Sequence, residues 1–564
     1  MTKKDLIQLL ETIGTYMELS LQNPFKISAY RKAAQALEAD SRTLDEIDSF
    51  TEIKGIGKGV NDVIVEYVNT GESEVLKSLK ETVPAGLIRM LKIPTLGPKK
   101  IAKIYKELDI TTIEGLKEAC LNNEVSALAG FGKKTEENII GAIDDILSRP
   151  ERYPIEAVLS FRNLIERYLD ESKTVEKYNV AGSARRMKET SRDIDYILTV
   201  SDVGQFTSDF TDQAFIKDVV ARGEKKLSVI VVHDLDEINV DFRFVKPSEY
   251  ASTLHHFTGS KEHNVKMRQI AKSRGEKISE YGVEQDGKML TFDTERDFYR
   301  HFELDFIPPA MRETGEETSV DVSEIVTLDD IKGDIHMHTV YSDGAFSIRD
   351  MVEACIKKNY EYIVITDHSK GLPVANGLDE ARLQKQIEEI RKLDAEYQEI
   401  DIYAGTEMDI LKDGTLDFSD ETLQSLDYVI AAIHSSFSQT EAEIMHRLKT
   451  ACENPYVRHI AHPTGRLIGG RDGYNVNMEA LIEMAKSTNT VLEVNANPRR
   501  LDLSAEVIRH KDLMLTVNTD AHHIDHLEFM KYGTAVLQKG LIRKDQVINT
   551  MDRDAFKAFV NSKK

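Results

Sequence analysis

The sequence predicts a multidomain α/β protein in three parts: a helical N-terminal region, an α+β middle and a C-terminal seven-stranded (β/α) barrel. Three observations carry this reading. Residues 1–150 repeat apolar residues at helical spacing, as in LIQLLETIGTYMEL, with short Gly turns between segments. The pattern then changes to alternating or continuous apolar runs, TVEKYNVAGSA, RDIDYILTV, KLSVIVVHDL and EINVDFRFV, which read as strands. From residue 333, seven apolar runs alternate with helical segments: GDIHMHT, YIVITDH, IYAGTEM, YVIAAIH, VRHIAHP, VLEVNAN and LMLTVNTDAH.

A chain of 564 residues exceeds one ordinary domain and suggests three to five. With 41% hydrophobic and 30% charged residues it has the composition of a soluble globular protein, which excludes disorder, collagen and a disulfide scaffold. No run approaches the length of a membrane span. The N-terminus MTKKDLIQLLETIG mixes acidic residues into its apolar pattern and is not read as a signal peptide. Cys120, Cys355 and Cys452 fall in no metal or redox motif and fit a reducing cytoplasm. The net charge of −23 is spread unevenly: residues 1–150 carry −3, residues 151–330 carry −11 and the remainder −9. Bulk charge therefore cannot hold nucleic acid, and any contact must use local basic strips or backbone amides.

The helical region offers such amides. IKGIGKGVNDVI, IPTLGPKKIAKI and LAGFGKKTEENI each place a Gly-rich turn before an amphipathic helix and resemble the helix-hairpin-helix motif. Gly permits the tight turn, and N–H groups at the next helix start can face a DNA phosphate. The candidate contacts are Gly55, Gly57, Lys58, Gly97, Lys99, Gly130, Gly132 and Lys133, with Thr95 replacing a Gly in the second copy. One copy would be an ordinary C-capping Gly; three favour DNA-backbone binding.

In the middle, AGSARRMKETSRDID puts Gly182 and Ser183 after a strand. Asp193 and Asp195 fall on one face of the next strand, because side chains alternate. Asp241 sits mid-strand in NVDFRFV, where burial favours an apolar residue. Three carboxylates on adjacent strands can hold two Mg²⁺ ions, hard cations that prefer oxygen. Residues 312–330, RETGEETSVDVSEIVTLDD, are polar and acidic and read as a linker.

Nine metal-type residues end the barrel strands: His336, His338, Asp343, His368, Glu407, His434, His462, Asp520 and His522. Imidazoles and carboxylates at the strand ends of one barrel converge on a multi-metal cluster. His459 and His523 are expected on the opposite face by alternation.

On these motifs the chain resembles the X-family DNA polymerases over residues 1–315, by GS…RDID, and the PHP domain over 333–564, by the histidine set. The resemblance implies a helix-hairpin-helix domain at 1–80, a fingers-like helical domain at 81–150, a nucleotidyltransferase palm at 151–254, a thumb-like nucleotide-selecting domain at 255–311, a linker at 312–332 and a PHP metallo-phosphoesterase barrel at 333–564. It implies that Asp193, Asp195 and Asp241 bind Mg²⁺ or Mn²⁺, with Asp241 activating the primer 3′-hydroxyl. Gly182, Ser183, Arg186 and, as a weaker match, Arg152 would hold the dNTP triphosphate. In HHFTGSKEHNVKMR, Phe257 and Gly259 would flank the sugar and Asn264 the base, with His256 standing where relatives have Tyr. In the barrel, His336, His338, Glu407 and Asp520 would bind one metal. Glu407 would bridge to a second with His434 and His462, and Asp343, His368 and His522 would take a third. Zinc or manganese suits that donor set.

The implied activity is gap-filling DNA synthesis in base excision repair with 3′→5′ exonuclease, extending to abasic-site endonuclease. The implied partners are gapped or primer-template DNA and dNTPs, with no membrane and a monomeric, cytoplasmic protein. The first hairpin carries Val63 where the resemblance expects a Schiff-base lysine. Two other readings compete: a small-molecule phosphoesterase tethered to DNA by an inactive polymerase-like half, and a catalytically silent DNA-end binder.

Overall fold

The computed structural model describes residues 3–40, 47, 49–91, 93, 96–148, 152–234 and 236–562. Met1–Pro150 and Glu151–Lys564 form two compact units.

The first unit is helical: α1 (Lys3–Leu19), α2 (Pro24–Ala39), α3 (Lys58–Thr70), α4 (Glu74–Thr82), α5 (Ala85–Met90), α6 (Pro98–Leu108), α7 (Ile113–Leu121) and α8 (Lys133–Ser148). Leu6, Leu9, Leu10, Ile13 and Met17 recur along one face of α1 and are buried, the stripe its sequence spacing dictates. The helices after the three Gly turns contribute Val60, Val63 and Ile64, then Ile101 and Ile104, then Ile139 and Ile143 to the same core.

The second unit begins with a two-residue strand, β1 (Tyr153–Pro154), and a long helix, Ile155–Glu171. A five-stranded sheet follows, built from β2 (Val175–Val180), β4 (Asp193–Val200), β5 (Ile216–Arg222), β6 (Lys226–His233) and β7 (Asp236–Phe244) in the order β2-β4-β7-β6-β5. Only β4 and β7 run parallel, and their register places Asp195 opposite Asp241. The short β3 (Thr190–Ser191) pairs with β1. Tyr196, Phe206, Phe210 and Phe242 pack beneath the sheet in stacked and edge-on contacts. The helices Tyr250–Thr258 and Lys261–Ser273 then lead to a small sheet of β8 (Lys277–Ile278), β9 (Val283–Gln285) and β10 (Lys288–Leu290).

The polar stretch at 312–332 is not a loose linker. It forms short 3₁₀ turns at Glu316–Ser319, Val322–Glu324 and Leu328–Asp330. Arg312, Glu317, Ile325 and Val326 are buried. Glu317 accepts from the Gly315 amide at 2.8 Å and pairs with His263 at 2.7 Å, while Asp330 caps its own turn through Thr327. Val326 bonds the Ile542 carbonyl of the barrel. Its acids are spent on local caps and ion pairs, so a composition that looks solvated is packed.

The barrel strands are β11 (Gly333–Asp334), β12 (Tyr362–Ile365), β13 (Asp401–Asp409), β14 (Tyr428–Ala432), β15 (Val457–Ile460), β16 (Val491–Asn495) and β17 (Leu515–Asn518). They are parallel neighbours in chain order. A parallel bridge between Met337 and Ala521 links the two edges, so the sheet nearly closes. All seven expected strands are present; six end earlier than the apolar runs, where the chain leaves the ladder to present its polar residues, while β13 continues to Asp409 and carries Glu407 within the ladder.

Candidate active sites

Gly182 follows β2 and opens a single helical turn, Gly182–Arg185, with φ +60°. A Cβ there would sit 2.8 Å from Asp195 Oδ2, so only Gly lets the turn approach the carboxylate. Asp193 and Asp195 lie on β4, with Asp241 on the parallel neighbour. Burial, and then the charges of Asp193 and Asp241, push the Asp195 carboxyl up to about 6. Lys226 Nζ approaches Asp241 Oδ2 at 2.8 Å from β6. Sequence reasoning missed this lysine, which the antiparallel register of β6 and β7 brings across.

The expected nucleotide contacts line the same region. Ser183 Oγ donates to Ser191 Oγ at 2.9 Å. Arg186 donates to the Thr258 carbonyl and pairs with Glu313 at 3.2 Å, so it ties the Gly182–Arg185 turn to the thumb-like part. The Gly259 Cβ position lies 3.1 Å from the Arg186 guanidinium. Phe257 stacks under Arg243, whose Cζ is 3.9 Å from the ring centroid. Asn264 donates to the His256 carbonyl at 2.8 Å and leaves its buried Oδ1 without a hydrogen-bond partner. Arg152 is exposed and bonds Thr190, one residue from Ser191.

In the first unit, Gly57 and Gly97 stand at the N-caps of α3 and α6, and the Gly132 carbonyl accepts the first bonds of α8. Neither N-cap carries a side-chain hydrogen bond. A Cβ on Gly57, Gly97, Gly130 or Gly132 would meet nothing within 4 Å, so these glycines face open space. Gly55, with φ +116°, and Gly130, with φ +90°, are also needed by the turns themselves. Lys58, Lys99 and Lys133 are exposed beside them. Thr95 lies outside the described residues.

At the barrel mouth the nine expected residues converge. Glu407 is central: its Oε1 lies 2.8 Å from His462 Nε2 and 3.2 Å from His434 Nε2, and its Oε2 lies 3.4 Å from His336 Nε2 and 3.0 Å from His368 Nδ1. Asp520 Oδ1 is 3.2 Å from His338 Nε2, and Asp343 Oδ1 is 3.3 Å from His522 Nε2. Three sets bring their ligand atoms within 4.8 Å: His338, Asp343, His368 and His522; His336, His338 and Glu407; and His368, Glu407 and His434. Among the described residues the aspartate triad is not gathered so tightly. His336 Nε2, both nitrogens of His338, His368 Nδ1, His434 Nδ1, His462 Nδ1 and Glu407 Oε2 are buried without hydrogen-bond partners. Buried polar atoms are normally paired, so this cluster of orphans fits divalent cations.

The charges agree. Burial works against Asp343 ionising, but the bond from His522 and the surrounding histidines hold its carboxyl down to about 2. Burial likewise opposes charge on His434, yet Glu407 and Asp409 push it up to about 10. The cluster attracts positive charge strongly.

A 51% identity over 567 residues, covering 99% of each chain, relates this sequence to the DNA polymerase/3′-5′ exonuclease PolX of Bacillus subtilis (strain 168). The chain belongs to the PolX family. Family models agree part by part: a helix-hairpin-helix domain at 1–73, a SAM-like helix-hairpin-helix tandem at 87–145, the DNA polymerase beta thumb at 253–313 and the PHP domain at 334–497. Weaker likeness reaches a probable phosphatase of Thermoanaerobacter sp. (strain X514), 26% identical over 41% of this chain and 95% of that protein. A probable phosphatase of Syntrophotalea carbinolica matches at 22% over 38% of this chain and 90% of its own length.

The chain also holds residues behind the cluster that sequence reasoning missed. Glu493, buried on β16, accepts from His336 Nδ1 at 2.8 Å and from the His462 amide at 2.7 Å. Asp367 gathers the Thr339 and Ser342 amides and so shapes the turn bearing Asp343. Asp502 does the same for Thr464 and Gly465 after His462. Glu493 had a legible signal, an acid within the apolar run VLEVN, the same argument that exposed Asp241. His459 corrects an expectation. It is buried 3.6 Å from Glu493, with its ring 6.2 Å from that of His336. β15 ends at Ile460 and His462 has φ +29°, so strand alternation does not carry across to His462.

Proposed function

We propose that this PolX-family protein fills short gaps in DNA during base excision repair and resects 3′ ends with its barrel. Abasic-site incision is a further reaction of the barrel site, and the working protein is a cytoplasmic monomer. The carrying observation is that one chain holds both a register-matched aspartate set and a buried histidine–carboxylate cluster full of unpartnered donor atoms.

In synthesis, Asp193, Asp195 and Asp241 would hold two Mg²⁺ or Mn²⁺ ions, which supply charge neutralisation and activate the primer 3′-oxygen. The Gly182–Ser183 amides and Arg186 orient the triphosphate, Phe257 and Gly259 shape the sugar site and Asn264 meets the base. Arg152, bonded to Thr190, sits at the edge of that turn. Gly57, Gly97 and Gly132 present helix-start amides to DNA phosphates, with Gly55 and Gly130 forming the turns and Lys58, Lys99 and Lys133 adding charge.

In resection, His336, His338, Glu407 and Asp520 would hold one cation, Glu407, His434 and His462 a second, and Asp343, His368 and His522 a third. Zinc or manganese there supplies an activated water and Lewis acidity. Glu493 fixes the His336 ring by accepting a hydrogen bond from its Nδ1–H, which leaves Nε2 for a ligand bond.

A labelled primer on gapped DNA tests the reading. It should lengthen with dNTPs and shorten without them. Robust hydrolysis of a sugar phosphate with no primer extension would establish the tethered phosphoesterase instead.

A further inference from the structure

A cavity of about 280 Å³ opens over the barrel cluster, lined by Asp343, His368, Glu407, His434, Asp520 and His522 on its polar side. One guanidinium enters it, that of Arg500. Arg500 is the sole Lys or Arg among the described lining residues. Its side chain is 19% exposed, and its Nε stands 3.6 Å from Asp520 Oδ2. That separation exceeds a hydrogen bond. Asp520 Oδ2 already accepts from Asn495 Nδ2 at 3.1 Å. The fork therefore is not spent on Asp520, and it lines the cavity with donors a ligand can meet.

The backbone around Arg500 is fixed from several sides. Its amide donates to the Asn497 carbonyl at 2.8 Å. Its carbonyl accepts from Arg466 Nε at 3.0 Å, and Arg466 also grips Glu189, just before β3, at 2.6 Å. The preceding Arg499 turns away, 60% exposed, with its Nε 3.6 Å from Glu156. Of two consecutive arginines, the turn thus aims one into the cavity and one outward.

A guanidinium beside a site built to gather several cations is electrostatically costly unless an anion joins them. The planar fork matches the oxygens of a phosphoryl group. The facing rim carries Leu372, Val374 and Ala375, and Val374 is 91% exposed. That rim suits a sugar or base better than a second phosphate. We propose that Arg500 is a substrate-contacting residue of the barrel site, its guanidinium binding a non-bridging oxygen of the phosphodiester being cut. This rests on the barrel being the nuclease. In the cut, a water oxygen bonds to phosphorus and the P–O3′ bond breaks. The 3′-oxygen leaves with a proton as the new primer end, and a nucleoside 5′-monophosphate is released.

The test compares wild type, Arg500→Met, Arg500→Lys and His338→Ala as full-length chains on a single-stranded oligonucleotide. Bound metal is counted by mass spectrometry and folding followed by thermal melting. Arg500→Met should keep its metal and melting temperature, raise KM and lose ten- to a hundredfold in kcat/KM. Arg500→Lys should recover part of the loss as a point charge. A terminal phosphorothioate of one diastereomer should slow wild type more than it slows Arg500→Met, a selectivity that a merely structural residue would not control. Wild-type kinetics and an unchanged sulfur effect in Arg500→Met would overturn the proposal. Resection surviving in His338→Ala would instead overturn the nuclease assignment beneath it.

Discussion

At the scale of single residues, Asp195 holds its charge at a cost. Its folded pKa of about 6 exceeds the ordinary value of 3.8, so the folded state binds the proton more tightly than the unfolded chain. Stability from this group is complete below pH 4 and is lost as pH rises through 6, on the order of 3 kcal/mol by pH 7.5. In chelator, Asp195→Asn should therefore melt higher than wild type at pH 7.5, and the difference should vanish near pH 4. Mg²⁺ should raise the melting temperature of wild type and leave Asp195→Asn unmoved. A pH-independent gap would mean that neither burial nor the neighbouring carboxylates raise the Asp195 carboxyl. Extension should meanwhile fall about a thousandfold or more in Asp193→Ala and Asp241→Ala, with gapped DNA still bound. Near wild-type extension in either would remove these aspartates from the chemistry. In the barrel, His338→Ala deletes a ring whose two nitrogens have no hydrogen-bond partner, so it should lose metal and resection while extension continues. The nine barrel residues were legible because eight fall toward the ends of strand runs and Asp343 follows the first run in the SDG turn. Their supports, Glu493, Asp367 and Asp502, are buried acids whose partners lie far off in sequence, and Arg500 gains meaning only from the turn that aims it.

At the scale of elements, the three Gly turns separate two uses of glycine. Gly55 serves the turn, since φ +116° excludes other residues, while Gly57 and Gly97 have room for a side chain and conventional φ. Gly57→Val and Gly97→Val should therefore leave the unit folded yet weaken DNA binding severalfold, by blocking the approach of phosphate to the helix-start amides. Fluorescence anisotropy against salt should show a shallow slope, because amides displace few counterions. A steep slope, or full affinity in both variants, would shift the contact to lysines. Val63 on α3 is 6% exposed within the helical core, so no amine can occupy that position. The 1–80 segment should give little borohydride-trapped adduct on an incised abasic duplex, since imine formation needs a neutral amine in place. A strong adduct mapped to a lysine there would show the role carried by another residue. The helices and strands were legible because their apolar periods match their burial. The 312–332 segment was not, because composition cannot show that its acids cap turns and meet a buried histidine, or that the Val326 amide bonds the barrel backbone.

At the scale of the whole molecule, the polymerase sheet and the barrel in residues 151–564 share structure. Ile155, which starts the helix before β2, is buried in the barrel's hydrophobic core, and Leu159 and Met187 pack against it. Lys539, on the barrel helix Met530–Lys539, is buried and donates to the Met187 carbonyl just after the turn Gly182–Arg185. Burial pulls its ammonium down to about 7, so it is kept there by position and not by a strong ion pair. Arg466 grips Glu189 two residues on. The turn Gly182–Arg185 and the residues after it are thus backed by the barrel. Lys539→Met should leave the Met187 carbonyl buried and unpaired, a defect of about 1–3 kcal/mol that loosens the turn. The expected result is a several-fold rise in KM for dNTP with kcat nearly kept, because the aspartates stay in register. A chain ending near residue 315 should show the same rise more strongly and melt lower, since it also exposes Ile155 and frees Glu189. His338→Ala, which keeps the barrel but not its chemistry, should leave KM for dNTP alone. Steady-state extension on gapped DNA across these three proteins separates support from catalysis. Equal KM values in all of them would mean that the barrel is carried by the polymerase without bracing it.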